Sequence, residues 1–223
     1  MKSKNNFLIF SFAMMGLFMI FFSSCSKDEE NSNNDSSTIK DFDGNVYHSV
    51  TIGTQTWLVE NLKVTHYRNG DPIPNVTDDD AWQNLTTGAY CDYDNSSNIS
   101  TTYGKLYNWH AVSDSRNIAP KGWHVSTDEE WLTLIEGISA GSLKEAGSTH
   151  WKLPNEGASN ATGFTALPGG ERITGVFTGL QIFGHWWTSD SGEWEWYMKY
   201  NLNDVMDDYS VASNGKSVRC VKD

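Results

Sequence analysis

The amino-acid sequence predicts one mixed α+β domain over residues 39–223, preceded by an amino-terminal export segment. Apolar and polar side chains alternate between residues 193 and 202, which predicts a strand, and a capping motif at Thr127 predicts a helix. Gly, Asn, Asp and Pro are frequent between these elements and predict long irregular loops. The chain has 223 residues, so the part that follows the export segment has the size of a single domain.

Several segments carry strand signals. The strongest is residues 193–202, in which apolar side chains recur at every second position, at Trp194, Trp196, Met198, Tyr200 and Leu202. Residues 46–62 predict a hairpin, because β-branched side chains fill both halves and Gly53-Thr54 supplies a two-residue turn. Weaker strand signals lie at residues 164–167, 176–180, 186–189 and 215–221.

Two segments carry helix signals. Thr127 and Glu130 have the spacing of a capping box, and apolar side chains follow at spacings of three and four, at Trp131, Leu134, Ile135 and Ile138. Acidic residues in the first turn suit the positive end of the helix dipole. A second, shorter helix is predicted over residues 141–146, with Gly147 ending it.

The first 24 residues are expected to be a lipoprotein signal peptide. Lys2 and Lys4 precede an apolar run over residues 7–22, and Ser23, Ser24 and Cys25 follow at once. Small residues directly before a cysteine resemble the lipobox of bacterial lipoproteins, in which that cysteine is acylated and becomes the new amino terminus. Cys25 is therefore the expected lipid anchor. A retained membrane helix is the alternative, but this run is shorter than the ~20 residues that span a bilayer.

Residues 25–38 are expected to form the lipidated cysteine and a disordered tether. The stretch from Ser26 to Thr38 contains no apolar residue, so it cannot bury enough surface to offset the entropy lost on ordering. The acidic run of residues 28–30 resembles the signal that sends lipoproteins of Bacteroidota to the outer leaflet, and a solvated linker is the alternative. We thus expect a domain anchored by lipid to the outer membrane and exposed at the cell surface.

Charge and motif content exclude several classes of protein. The chain carries 16 Lys and Arg against 28 Asp and Glu, a formal charge of −12, which argues against nucleic acid as a partner. It has no phosphate-binding loop, no Gly-x-Ser-x-Gly elbow and no dinucleotide-binding turn. None of its six histidines has zinc-ligand spacing within one element. We therefore expect no enzyme and no obligatory cofactor.

Six separated strings resemble one bacterial family, the Fibrobacter succinogenes major paralogous domain. They lie, in family order, at residues 51–74, 103–112, 120–131, 163–172, 186–189 and 217–223. The resemblance implies a C-type lectin-like fold, with two helices packed on a small, irregular antiparallel sheet. It also implies a surface lipoprotein of the kind found in gut and marine bacteria.

The cysteines depart from that family pattern. The family usually has a cysteine just before its Pro-x-Gly-Trp-His string, and Ala119 occupies that position here. Cys220 therefore lacks the partner that the resemblance implies. A Cys91–Cys220 disulfide is one alternative in an exported chain. Two buried thiols that pack as small apolar groups are the other.

Two groups of residues are the predicted binding sites. Trp82 and Trp151 are flanked by polar loops, so their indole rings are candidates to stack on a sugar. The string at residues 153–156 resembles part of the Glu-Pro-Asn motif of C-type lectins, which adds Asn155, Glu156 and Asn160 of the same loop. Calcium prefers oxygen-rich loops, and Asp204, Asp207 and Asp208 are the candidate ligands.

Three functions are open to such a chain. A non-catalytic surface binding or adhesion module, with glycan as its partner, predicts that loop aromatics and amides converge on one exposed face. A structural or protein-interaction component of the envelope predicts an apolar patch without a polar groove. An enzyme predicts a deep pocket with paired titrating groups. The expected partners are the membrane, through the lipid, and a polysaccharide or a surface protein.

Overall fold

The computed structural model describes residues 38–223, and its fold is mostly β. The predicted signal peptide, Cys25 and the tether up to residue 37 lie outside the described residues. Thirteen strands in four sheets, with a few short helices, make up the described part of the chain. The prediction of a C-type lectin-like α+β fold, with two helices on a small sheet, is therefore wrong. None of the helices between residues 38 and 223 has the length and apolarity needed to cross a bilayer.

The strands are short and are numbered here in chain order. They are β1 (Ile39–Lys40), β2 (Val46–Tyr47), β3 (Ser49–Ile52), β4 (Gln55–Leu58), β5 (Tyr90–Cys91), β6 (Leu106–Tyr107), β7 (Trp123–Val125), β8 (Gly169–Ile173), β9 (Val176–Leu180), β10 (Phe183–Trp187), β11 (Trp194–Lys199), β12 (Val205–Tyr209) and β13 (Cys220–Lys222). The helices are α1 (Asp79–Gln83), α2 (Ser97–Tyr103), α3 (Trp109–Val112), α4 (Asp128–Ile135) and α5 (Ala140–Leu143), and a 3₁₀ turn covers Tyr93–Asn95.

The largest sheet has five strands in the order β12-β11-β10-β8-β9. Its neighbours pair antiparallel except for β10 and β8, which are parallel. A four-stranded sheet has the order β3-β4-β13-β7, so the last strand of the chain lies between the early hairpin and β7. Two further sheets, β1-β2 and β5-β6, have two strands each.

The two strongest strand predictions are confirmed. Strands β3 and β4 form the predicted hairpin, with Ile52 opposite Gln55 and Gly53 at φ +59° in the turn. Strand β11 lies within residues 193–202, and Trp196 and Met198 on its apolar face are buried. Tyr200 also packs on the core, whereas Trp194 and Leu202, at the two ends of the predicted face, are exposed.

The predicted helices are present but short. Thr127 and Glu130 form the predicted capping box, in which each side chain bonds to the other residue's backbone N–H. Helix α4 then ends at Ile135, because Glu136 leaves the helical conformation and Gly137 has φ +70°. The second predicted helix is reduced to the four residues of α5.

The core beneath the two larger sheets is largely aromatic. The Trp131 ring is stacked on Trp196, with centroids 6.1 Å apart, and meets Trp57 edge-on at 5.3 Å. Phe164 and Trp186 pack on the same ring, at 5.7 Å each. Aromatic rings in such edge-on and offset arrangements supply both buried area and directional attraction.

The α+β prediction failed because many strands leave no periodic signal. A strand of two residues, such as β1 or β5, is too short to show alternation. Strand β8 has the sequence GGERI, and its buried Glu171 and Arg172 contradict the usual preference of strands for apolar side chains. Their partners come from distant parts of the chain, which a local pattern does not reveal.

Candidate functional site

The two tryptophans predicted to bind a ligand are buried. Trp82 is 0% exposed, and the Arg172 guanidinium lies 4.7 Å from its ring centroid. Trp151 is 1% exposed, and its Nε1 donates to the carbonyl of Ala166 at 2.9 Å. Neither indole face is therefore open to a sugar ring in this structure.

The loop residues predicted beside them hold the loop together. The Asn155 side chain is buried and donates to the carbonyls of Glu145 and Gly147, at 2.9 and 2.7 Å. Asn160 exchanges two hydrogen bonds with Thr165. Glu156 is exposed. These amides therefore fix the backbone of the loop, and they do not converge with the two tryptophans on one face.

A lysine ammonium occupies the point where carbonyl oxygens of this region converge. Lys144 Nζ donates to the carbonyls of Glu156, Lys199 and Leu202, at 2.8, 3.2 and 2.9 Å. Lys144 is 0% exposed, and burial lowers its pKa to about 8. The Lys144 ammonium thus links this loop to the end of β11.

The three aspartates predicted to bind calcium do not share one face. Asp204 precedes β12, while Asp207 and Asp208 are consecutive on that strand and so point to opposite sides of the sheet. Asp207 lies opposite Trp196 and Asp208 opposite Glu195. All three side chains are exposed. Calcium binding through this set stays a prediction, and the strand geometry does not favour it.

Cys91 and Cys220 are both free, buried thiols. They belong to different clusters of the core, which agrees with the thiol alternative rather than the disulfide. Burial raises the pKa of Cys91 to about 12 and also raises the pKa of Cys220. A thiol in such surroundings is a packing group and a poor nucleophile.

A cavity of about 420 Å³ lies on one face of the five-stranded sheet. Its walls include apolar and aromatic side chains, and its polar lining side chains are Glu171, His185, Glu195, Asp208, Ser210, Asn214 and Lys216. A concave site with a small set of converging polar groups is the usual form of a ligand site. We therefore treat this cavity as the candidate functional site.

Sheet register places the polar groups together. Gly170 pairs with Gly184, which puts the following residues, Glu171 of β8 and His185 of β10, on the same face of the sheet. Register also puts Tyr197 opposite His185, and Asp208 opposite Glu195. One face of four neighbouring strands thus carries all the sheet-borne polar groups of the cavity.

Lys216 completes the site from outside the strands. Its backbone exchanges two hydrogen bonds with Tyr107 of β6, at 2.9 and 3.0 Å. The neighbouring Ser217 forms a parallel bridge with Trp186 of β10. These contacts hold residues 215–217 against the sheet, where the lysine side chain reaches the two glutamates.

Two glutamates share the ammonium of Lys216. Lys216 Nζ lies 2.5 Å from Glu171 Oε2 and 2.7 Å from Glu195 Oε2. All three side chains are buried, with Lys216 only 1% exposed. Buried carboxylates need such partners, because an unpaired charge in the interior is very costly. The lysine thus holds both carboxylates at fixed positions in the cavity floor.

His185 lies between the same glutamates. Its Nδ1 is 2.9 Å from Glu195 Oε2, and its Nε2 is 3.3 Å from Glu171 Oε1. Its ring is stacked on Tyr197, with centroids 5.3 Å apart. Burial alone would raise the pKa of Glu195, but the hydrogen bond with His185 and the charge of Lys216 bring it below its ordinary value. Glu195 is therefore ionised at neutral pH.

The mouth of the cavity is apolar and exposed. Tyr209, Val211 and Ile173 are 60%, 58% and 37% exposed. Trp194, the residue directly opposite Tyr209, contacts its ring edge-on at 6.2 Å and is itself 39% exposed. The exposed aromatic side chains of this domain thus include Tyr209 at the mouth of the polar cavity, whereas the two predicted tryptophans are in the core.

Part of this site could be predicted from the sequence. The alternation that predicted β11 put Glu195 and Tyr197 together on the face opposite Trp194 and Trp196, and that face is the cavity. No local pattern marked Glu171, His185 or Lys216 as their neighbours. Lys216 is separated by 45 residues from Glu171, so only the fold brings them together.

Comparison with known proteins assigns the family. No curated protein and no solved structure matches this chain. A family model, described as the Fibrobacter succinogenes major domain, matches residues 50–222. That match covers most of the chain and includes every polar residue of the cavity. The chain therefore belongs to the Fibrobacter succinogenes major domain family.

Proposed function

We infer that this protein is a surface lipoprotein whose domain binds glycan without catalysis, and that the cavity on the five-stranded sheet is the binding site. The observation that carries this proposal is the cavity itself, about 420 Å³ in volume, with fixed charged groups at its floor and aromatic side chains at its mouth. The residues predicted from the sequence to bind glycan, by contrast, do not converge on one exposed face.

The chemistry of the lining suits a hydroxyl-rich ligand. Carboxylates and amides accept and donate hydrogen bonds to hydroxyl groups, and Glu171, Asp208 and Asn214 supply them here. Tyr197 and Tyr209 add aromatic surface with a polar end, which suits a ligand with both apolar and polar faces. The site thus offers both contacts by which a sugar ring is held.

The arrangement of the carboxylates favours binding over glycoside hydrolysis. A hydrolase uses two separated carboxyl groups, one of which must be protonated. Glu171 and Glu195 instead contact the same ammonium, at 2.5 and 2.7 Å. A carboxylate fixed by a lysine serves as a hydrogen-bond acceptor and is a poor proton donor.

Surface attachment is proposed from the amino-terminal sequence. A positive start, an apolar run and small residues before Cys25 support lipidation. Two measurements test this step: mass spectrometry of the protein from cells, which must find an acylated Cys25 at the amino terminus, and protease digestion of intact cells, which must remove the domain. A chain that still begins with Met1 and has a free Cys25 would contradict it.

A glycan array tests the binding proposal. We expect the wild-type chain to bind at least one glycan class and Asp208→Asn to weaken that binding roughly tenfold, because a charged hydrogen bond in the cavity is lost. Asp207→Asn is the matched control, since this neighbouring carboxylate is also exposed but lies on the other face of the sheet. Equal effects of the two changes, or an array without signal, would contradict the proposal.

The envelope-component hypothesis remains the alternative function. The exposed apolar side chains at the cavity mouth, Ile173, Tyr209 and Val211, favour it. A protein partner would bury this rim, whereas a glycan would occupy the polar floor. Tyr209→Ser would then abolish capture of a surface protein, and Asp208→Asn would leave that capture unchanged.

A further inference from the structure

His185 has a ring nitrogen without a partner in the interior of the site. Among residues 38–223, no group forms a hydrogen bond of acceptable geometry with Nε2, although the side chain is only 9% exposed. A buried polar atom left unpaired costs ~1–3 kcal/mol. Such an atom in a native fold therefore calls for a ligand, an ion or a proton as its partner.

A carboxylate oxygen, which is a hydrogen-bond acceptor, faces this nitrogen. Glu171 Oε1 lies 3.3 Å from His185 Nε2, and Lys216 binds the other carboxylate oxygen of Glu171, Oε2. When His185 carries its proton on Nδ1, toward Glu195, Nε2 presents a lone pair to a carboxylate oxygen. Two lone pairs that face each other repel, and a cation bound between them would accept both.

We propose that the floor of the cavity binds a divalent transition-metal ion of the zinc class through His185 Nε2 and Glu171 Oε1. Zinc binds histidine nitrogen and carboxylate oxygen at about 2.0–2.2 Å, and two such ligands of a tetrahedral ion are about 3.4 Å apart. The observed separation of 3.3 Å matches that spacing. The ligand atoms that Glu171, His185 and Glu195 offer all lie within 4.8 Å of one another.

The neighbouring groups orient these two ligands. A histidine that binds a metal usually donates its other ring N–H to a carboxylate, and Glu195 Oε2 lies 2.9 Å from His185 Nδ1. Lys216 contacts Oε2 of both glutamates, so it fixes them and leaves Glu171 Oε1 facing the histidine. The lysine thus positions the carboxylate without occupying the place of the ion.

The donor set also selects the kind of ion. Calcium and magnesium prefer oxygen ligands alone, whereas an imidazole with a carboxylate suits zinc and its transition-metal neighbours. Two protein ligands leave the remaining coordination positions open toward the cavity. Water or a hydroxyl of the ligand proposed above would complete them, so the metal inference extends that proposal but does not depend on it.

Calorimetric titration of the full chain with ZnCl₂, after chelator treatment and without glycan, tests the inference. We expect one saturable zinc site per chain, and affinity reduced roughly tenfold or more in both Glu171→Gln and His185→Gln. His48→Gln is the matched control, because His48 also contacts a glutamate, Glu60, at 2.6 Å but is exposed. CaCl₂ and MgCl₂ should give no comparable binding.

A second measurement keeps the test valid if a variant fails to fold. In the unmodified chain labelled with ¹⁵N-histidine, zinc should shift the Nε2 signal of one buried histidine whose Nδ1 is protonated. The inference is overturned if no saturable site exists, if only exposed histidines respond, or if His48→Gln removes binding as well. If the chain binds zinc but no glycan on the array, the metal site stands and the glycan proposal is rejected. If it binds a glycan but no zinc, the glycan proposal stands and the metal site is rejected.

Discussion

The guanidinium of Arg219 and the side-chain carbonyl of Asn61 meet in the interior of the domain. Asn61 Oδ1 accepts bonds from Arg219 Nε and Nη2 at 3.2 and 3.0 Å, and from Trp186 Nε1 at 2.8 Å. Arg219 Nη1 donates to the carbonyls of Leu58 and Phe164. Burial lowers the pKa of Arg219 to about 9, so the guanidinium is charged at neutral pH without a carboxylate among these partners.

Asn61→Ala should lower the free energy of unfolding by about 3 kcal/mol, because a buried charge and an indole N–H both lose their acceptor. Urea denaturation of wild type and variant measures the difference. Asn201→Ala is the control, since Asn201 is exposed, and it should change stability by less than about 0.5 kcal/mol. A loss below about 1 kcal/mol for Asn61→Ala would show that water or the backbone replaces the amide.

Lys144→Met should destabilise the fold by about 2–4 kcal/mol, because three carbonyl oxygens lose their common donor. Met is unbranched and only one heavy atom shorter than Lys, so packing against Trp151 is largely retained. Lys152→Met is the control: Lys152 is exposed and its ammonium lies 5.2 Å from the Tyr200 ring, an interaction worth at most about 1 kcal/mol. Similar losses in the two variants would contradict a structural role for the buried ammonium.

Stability should depend on pH through His124, which lies between two carboxylates. Its Nδ1 and Nε2 are each 2.8 Å from a carboxylate oxygen, of Asp223 and Glu130. Burial opposes protonation, but the bonds with these carboxylates prevail and raise the pKa of His124 above its ordinary value. The folded state therefore binds the proton more tightly than the unfolded state does.

The sign of the effect follows from that difference. The stabilisation is fully present below the unfolded pKa of about 6.5 and is lost as pH rises through the higher folded pKa. The melting temperature of wild type minus that of His124→Gln should thus shrink between about pH 5.5 and about pH 8.5. His110→Gln serves as the control, because His110 takes part in none of the ion pairs found between residues 38 and 223. A difference in melting temperature between wild type and His124→Gln that stays constant with pH would contradict the prediction.

Local chemistry explains which elements the sequence predicted. The capping box of α4 is complete within four residues, and the β3–β4 turn consists of the two residues Gly53 and Thr54, so a short stretch of sequence specifies each of them. Strand β11 is long enough to alternate, and it borders the aromatic core through Trp196 and the polar cavity through Glu195. These elements were predictable because their partners are neighbours in the chain.

Long-range contacts explain the failures. Trp82 was a candidate to bind a ligand because polar residues flank it, but Arg172 lies over its ring and binds Asp79, which is 93 residues away. Long-range contacts also form the site, because Lys216 contacts glutamates from two different strands. Exposure of an aromatic ring and convergence of charges are properties of the fold, which a pattern of nearby residues does not specify.

Cys91 and Cys220 should remain unreactive until the domain unfolds. Both thiols are buried and have raised pKa values, so little thiolate forms at neutral pH. In a Cys25→Ser chain, a disulfide-exchange reagent should label neither thiol in the native state and both in guanidinium chloride. Intact mass without reductant provides the check on redox state. A chain that is lighter by two hydrogens, and that offers no thiol after unfolding, would establish the Cys91–Cys220 disulfide instead.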